Sequence, residues 1–177
     1  SEFSSGVISI YSNPWAFVAL KEDGSVVTFG GGYGGDSSSV ASELSSGVST
    51  IYSTGRAFAA LKEDGSVITW GRGDLGGDSS SVASELSSDI ISIYSTPGAF
   101  AALKDDGSVV TWGRSDYGGD SSSVASELSS GVSTIYSTGY AFAALKEDGS
   151  VVTWGLSTQG GDSSSVASEL SSGVSAI

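Results

Sequence analysis

The 177-residue chain is one phrase used four times. Ala-Phe-Ala-Ala-Leu-Lys-Glu-Asp-Gly-Ser-Val runs from Ala57 to Val67 and again from Ala141 to Val151, and close variants start at Ala16 and Ala99. Self-similarity at a fixed period limits the fold to architectures in which each unit buries its faces against the next. The turn lysines Lys21, Lys62, Lys104 and Lys146 are spaced 41, 42 and 42 apart, and the Gly-Gly-Asp triplets ending at Asp36, Asp78, Asp120 and Asp162 are spaced 42 throughout. The first copy therefore lacks one loop residue between Phe29 and Gly34. Ser171–Ile177 restates Ser4–Ile10. The expected organisation is one domain, residues 4–177, made of repeats 4–44, 45–86, 87–128 and 129–170 and a partial repeat 171–177. Residues 1–3, Ser-Glu-Phe, precede the first match and read as a scar or cut edge. The chain reads as a segment of a longer array or as an engineered product.

Within one repeat, Val48–Ser53 alternates and is rich in β-branched and aromatic residues, which suits a strand with Val48, Thr50 and Tyr52 on one face. Ala57–Lys62 forms a second strand. Glu63-Asp64-Gly65 turns the chain, with Gly65 free to take positive φ, and Ser66–Trp70 returns as a third. Alanines 57, 59 and 60 let sheets approach closely, while Phe58 and Trp70 supply bulk. The last quarter, Asp78–Ser88, reads best as a single helical turn capped by Asp78 or a serine, because Val82 and Leu86 stand four apart. A short outer strand is the competing reading. A unit of three or four strands cannot bury both faces alone, and stacking around an axis does so. The fold class expected is therefore all-β: a β-propeller of four near-identical blades of about 42 residues plus a surplus terminal strand. A closed four-bladed monomer is the favoured closure. An eight-bladed ring from two chains, or an open arc, are the alternatives.

Leu103 to Gly113, in the pattern Leu-x-x-Asp-Gly-x-Val-x-x-Trp-Gly, followed by Tyr117-Gly118-Gly119, resembles the repeat of the regulator-of-chromosome-condensation family. The preceding Val-x-x-Ile strand matches as well, and the likeness covers essentially the whole chain, closest to bacterial tandem arrays. It implies a propeller with one repeat per blade. Members of that family serve as exchange factors, photoreceptors and partner-binding platforms. This chain departs from the pattern where the family places Gly and His, which are Thr54 and Ala57 here, and where Gly-Gln-Leu-Gly becomes Gly118-Gly119-Asp120-Ser121. Exchange activity and chromatin binding are not carried over.

Composition narrows the function. A net charge of −13 with seven Lys and Arg argues against nucleic acid and anionic membrane surfaces. No apolar run is long enough to insert in a membrane. Without Cys there is no disulfide or thiolate metal site, and without His or Cys no Ser-His or Cys-His nucleophile can be assembled. No enzyme activity, cofactor or metal site is expected. Gly30-x-Gly32-x-x-Gly35 and Gly71-x-Gly73-x-x-Gly76 match the dinucleotide fingerprint, but the third and fourth copies lack the central glycine and no βαβ unit surrounds them. Arg72-Gly73-Asp74 matches an adhesion tripeptide in one copy only. Asp36, Asp78, Asp120 and Asp162 recur with the scaffold and read as turn caps rather than calcium ligands.

The copies differ in two loop groups. One holds residues 13–15, 54–56, 96–98 and 138–140; the other holds 31–33, 72–75, 114–117 and 156–159. Variation confined to loops on a fixed scaffold is how binding surfaces diversify. The candidate partner surface is Trp15, Arg56, Tyr140, Tyr33, Arg72, Arg114, Tyr117 and Gln159, residue types enriched at interface hot spots. The reading is a non-enzymatic interaction or structural scaffold. The alternatives are a carbohydrate-binding propeller, with aromatic rings stacking on sugars, and an engineered repeat scaffold without a ligand. Partners would be protein or glycan at the loop face, with self-association through the terminal strands. The compartment stays open, an extracellular or cell-surface place being slightly favoured.

Overall fold

Three short apolar runs, separated by a variable three-residue link and an Asp-Gly turn, fold into three antiparallel strands in every repeat. The computed structural model describes residues 6–177. The expected scar at 1–3 and the start of the first repeat at residue 4 lie outside the described residues. Blade 1 holds β1 (Val7–Ser12), β2 (Ala16–Lys21) and β3 (Val26–Gly30). Blade 2 holds β4 (Val48–Ser53), β5 (Ala57–Lys62) and β6 (Val67–Gly71). Blade 3 holds β7 (Ile90–Ser95), β8 (Ala99–Lys104) and β9 (Val109–Gly113), and blade 4 holds β10 (Val132–Ser137), β11 (Ala141–Lys146) and β12 (Val151–Gly155). Each blade is a meander with its strands in chain order. First strands of successive blades touch one another, so they line the axis.

The second and third strands join through a tight turn. Gly65 Nα donates to the Lys62 carbonyl at 3.0 Å, Lys62 Nα donates to the Ser66 carbonyl at 2.9 Å, and Gly65 sits at φ 78°. That is a type I turn closed by a left-handed glycine. The first strands do not alternate as expected. A bulge between Val48 and Thr50 shifts the register, so Ile51, not Thr50 or Tyr52, joins Val48 in the core. The same shift recurs in the other three blades.

The last quarter is a helical turn rather than a strand. Ser38–Val40, Ser80–Val82, Ser122–Val124 and Ser164–Val166 are single 3₁₀ turns. Asp36, Asp78, Asp120 and Asp162 each accept the backbone N–H two residues on, at 2.9 Å. The turn delivers Leu86 to the outer strand, where Val67 Nα donates to its carbonyl at 2.9 Å. This partly covers the sheet edge.

Three cores form, each between neighbouring blades. At the second junction, Ala57, Ala59 and Leu61 of blade 2 face Ile93, Phe100, Ala102 and Trp112 of blade 3. The first and third junctions repeat this arrangement. Phe and Trp stack across the second and third strands at 5.4, 5.2 and 5.3 Å in blades 2, 3 and 4. Each Trp Nε1 then donates to a glycine carbonyl of the preceding blade: Trp70 to Gly34, Trp112 to Gly76 and Trp154 to Gly118, at 3.0–3.1 Å.

The favoured closed ring does not form. Ile10, Phe17 and Phe29 are 63, 48 and 38 % exposed on blade 1, whereas their equivalents in blades 2 to 4 are no more than 3 % exposed. The same small residues set each junction, and three such junctions leave blade 4 away from blade 1. The surplus terminal segment is placed like a first strand at its start: Val174 Nα donates to the Gly149 carbonyl at 3.0 Å, as Val132 Nα does to Gly107. Residues 174–177 form no ladder.

Candidate interaction surface

The two variable loop groups meet at one mouth of the arc because a single polar side chain in each blade ties them together. Thr54 Oγ1 accepts from Ala57 Nα at 3.0 Å and donates to the Leu75 carbonyl at 2.9 Å. Thr96 bridges Ala99 and Tyr117 in the same way, and Thr138 bridges Ala141 and Gln159. In blade 1, Asn13 takes this role: its Oδ1 accepts from Trp15 and Ala16, and its Nδ2 donates to the Tyr33 carbonyl at 3.1 Å. Thr54 and Thr96 are buried. Sequence reading missed this role by counting positions 13, 54, 96 and 138 among the variable loop residues. The signal was present: three copies share Thr, and the fourth has the longer Asn.

The bridged loops bring most of the candidate residues together. Trp15 and Tyr33 meet edge to face at 5.6 Å. The Arg56 guanidinium crosses from blade 2 to lie 5.5 Å from the Trp15 ring centre and 4.8 Å from that of Tyr33. Both distances are within the range of cation–π attraction. Arg72 lies 5.9 Å from the Tyr33 ring. Further round, Tyr117 and Tyr140 pack at 4.8 Å, and Arg114 lies 5.4 Å from the Tyr117 ring. Gly98 permits this packing, since a Cβ there would come within 2.8 Å of the Tyr117 ring. A cleft of about 460 Å³ opens between Trp15, Arg56, Arg72, Leu75, Arg114 and Tyr117. Tyr140 borders it through Tyr117. Gln159 stands on the surface of blade 4 and does not line the cleft.

All three arginines of this acidic chain stand at the mouth. Arg72 holds Asp74 with two hydrogen bonds, at 2.5 and 2.9 Å, and Arg114 holds Asp116 at 2.6 and 2.9 Å. The Arg72 hydrogen bonds keep the Asp74 carboxyl below the usual carboxylate range, and the Asp74 bonds push Arg72 up. The Arg-Gly-Asp tripeptide thus satisfies its charges internally. Arg56 has no carboxylate partner among the described residues. Its charge rests on the two aromatic faces.

Among the described residues, no cluster of acidic side chains could hold a metal, and no helix is long and apolar enough to cross a membrane.

Four three-stranded blades packed through Phe–Trp pairs, with tethered loops at one mouth, define a β-propeller repeat protein. No protein-family model matches the chain, and no curated protein matches it in sequence. Solved structures do match. Yeast RCC1 (Prp20), in its complex with Kap60, superposes with a TM-score of 0.55 at 15 % identity, over 89 % of this chain and 45 % of that one. Human WBSCR16 superposes at 0.54 and 20 % identity, over 88 and 49 %. The ectodomain of the Physcomitrella patens receptor kinase CR4 superposes at 0.52 and 19 % identity, over 84 and 38 %. The chain spans half or less of each of these structures. The likeness establishes the fold, and the family resemblance read from the repeat agrees with it.

Proposed function

We propose that this chain is a non-enzymatic propeller module that binds a protein segment at the mouth built by Trp15, Tyr33, Arg56, Arg72, Arg114, Tyr117 and Tyr140. The observation that carries this reading is the convergence of residues from separate repeats on one cleft. Arg56 contacts Tyr33, and Tyr117 contacts Tyr140, across two blade boundaries, and Trp15 packs on Tyr33 within blade 1. Rigid aromatic side chains, and arginines already held against rings or carboxylates, lose little freedom on binding and supply large contact areas.

The electrostatics select the segment. Arg56 is the one arginine at the mouth without an acidic partner among the described residues, so it is available to a carboxylate. A peptide bearing Asp or Glu beside an apolar residue fits, with its carboxylate on the Arg56 that Trp15 and Tyr33 hold and its apolar side chain against Tyr117. One fold relative, yeast RCC1 (Prp20), was crystallised with the protein Kap60 bound to it. The carbohydrate reading is less favoured, because Arg56 already stacks on Trp15 where a sugar ring would lie.

Selection from a random peptide display library on the whole chain tests the proposal, with a glycan array in parallel. Acidic–apolar peptides should be enriched, and Arg56→Ala and Trp15→Ala should each weaken their binding by about tenfold or more. Peptides whose binding ignores both substitutions would overturn the reading. Glycan hits abolished by Trp15→Ala would replace it with the lectin.

A further inference from the structure

Blade 1 and blade 4 each expose one face, and these faces are the two halves of a junction the protein builds three times. On blade 4, Gly160 stands where Gly34, Gly76 and Gly118 stand in the other blades. A Cβ on those three would come within 2.5–2.6 Å of the Phe ring of the following blade. At Gly160 the nearest such atom is Thr138 Cγ2, at 4.0 Å. A cavity of about 280 Å³ opens beside it, between Tyr136, Ala141, Phe142, Ala143, Gly160 and Ile177. Ile177 shares the register of Ile10, Ile51, Ile93 and Ile135. The tail therefore supplies the isoleucine of a next blade, and the cavity corresponds to its missing aromatic pair.

Blade 1 presents that pair. Phe17 and Phe29 stack at 5.3 Å with an 18° interplanar angle, the geometry of Phe58–Trp70, and both are exposed. Ile10 is exposed beside them. We propose that blade 1 of one copy docks on blade 4 of a second copy, and the reverse, so that two copies close a ring of eight blades. Eight blades lie within the range of closed propellers, and a third copy would exceed it. The contact is head to tail and closes on itself after two copies.

Two features shape this junction. The tail 174–177 occupies the place that β1 of the other copy must take. β1 is held by a full ladder to β2 and the tail by none, so the tail yields. The junction is also weaker than the internal ones. Trp70, Trp112 and Trp154 donate Nε1–H to the glycine carbonyl across their junctions, and the Phe29 ring has no N–H to give to Gly160. Each copy carries −13, so salt strengthens the contact by screening repulsion.

Sedimentation and light scattering of the whole chain, between about 1 µM and 1 mM, test the proposal. A 17.6 kDa monomer should give way to a species of twice that mass, and at lower concentration as salt is raised. Phe29→Trp should tighten association by about three- to tenfold by restoring the hydrogen bond. Removing residues 174–177 should also tighten it. Phe17→Asp should abolish it while leaving the circular dichroism spectrum unchanged. Gly160→Ala, which blocks the same junction from the other side, should abolish it too. A monomer throughout the range for both the parent chain and Phe29→Trp would overturn the proposal. So would association indifferent to Phe17→Asp and Gly160→Ala, or an open-ended series of larger species.

Discussion

At the scale of single residues, the informative positions are those where one copy breaks the pattern of the others. Asp89 occupies the place of Gly47, Gly131 and Gly173, and is the non-glycine residue with positive φ (67°) among the described residues. Aspartate tolerates the left-handed region better than most residues but still at a cost. Asp89→Gly should therefore raise stability by about 1 kcal/mol, read as a higher urea midpoint with an unchanged slope. Thr96 gives the opposite case. Its buried hydroxyl holds the Tyr117 carbonyl and the Ala99 N–H together, so Thr96→Val should cost about 1–3 kcal/mol in the same experiment. It should also loosen Tyr117 from Tyr140, detectable as a change in tyrosine fluorescence. Trp15, Arg56 and Tyr140 were legible as candidates because they vary between near-identical copies. The threonines beneath them were legible only as a shared residue, since a Thr common to three loops does not show which carbonyl it reaches.

At the scale of elements, the blade is not the unit of stability; the junction is. Each buried cluster joins two blades, and at each junction a phenylalanine ring sits where a side chain on a left-handed glycine would have to go. Gly118→Ala should be severely destabilising, because its Cβ would meet Phe142 Cδ2 at 2.5 Å in addition to the strain at φ 91°. Gly160→Ala carries the same backbone strain at φ 101° but meets nothing closer than Thr138 Cγ2, at 4.0 Å. In a monomeric background, the difference in thermal midpoint between these two variants isolates the worth of one ring seat. Strands, turns and the pairing order were readable from alternation and Asp-Gly. The bulge after Val48 was not, because it depends on Ile51 seeking the adjacent core, a contact outside its own repeat.

For the whole molecule, charge and closure are linked. The turn aspartates Asp23, Asp64, Asp106 and Asp148 are held below their ordinary 3.8 by the hydroxyl and N–H of the serine two residues on. Asp36, Asp78, Asp120 and Asp162 are lowered in the same direction by backbone N–H bonds from serine. A carboxyl lowered by folding contributes stability above its unfolded value and loses it as pH falls through the folded value. The thermal midpoint should therefore hold or rise slightly from pH 7 toward the isoelectric point near 4.1, as self-repulsion fades, and then drop below about 3.8. Circular dichroism melts across that interval check the sign: a midpoint that keeps rising below 3.8 would show that the turn bonds contribute nothing.

Local chemistry and fixed spacing are enough to specify the blade. Period, hairpin chemistry, the alanines that allow close approach and the Phe–Trp bulk are local or repeat at fixed spacing, so one repeat read carefully describes four. The sequence also marked which loops vary. Whether the ring closes and where the loops meet follow from how the blades pack on one another. Closure depends on the angle at each junction, accumulated over three junctions, and no residue encodes that sum. The mouth depends on Arg56 reaching across to rings in another blade. The exposed pair Phe17–Phe29 reads, in sequence, like any other copy. Its solvent exposure opposite the open seat at Gly160 is a property of the assembled arc alone.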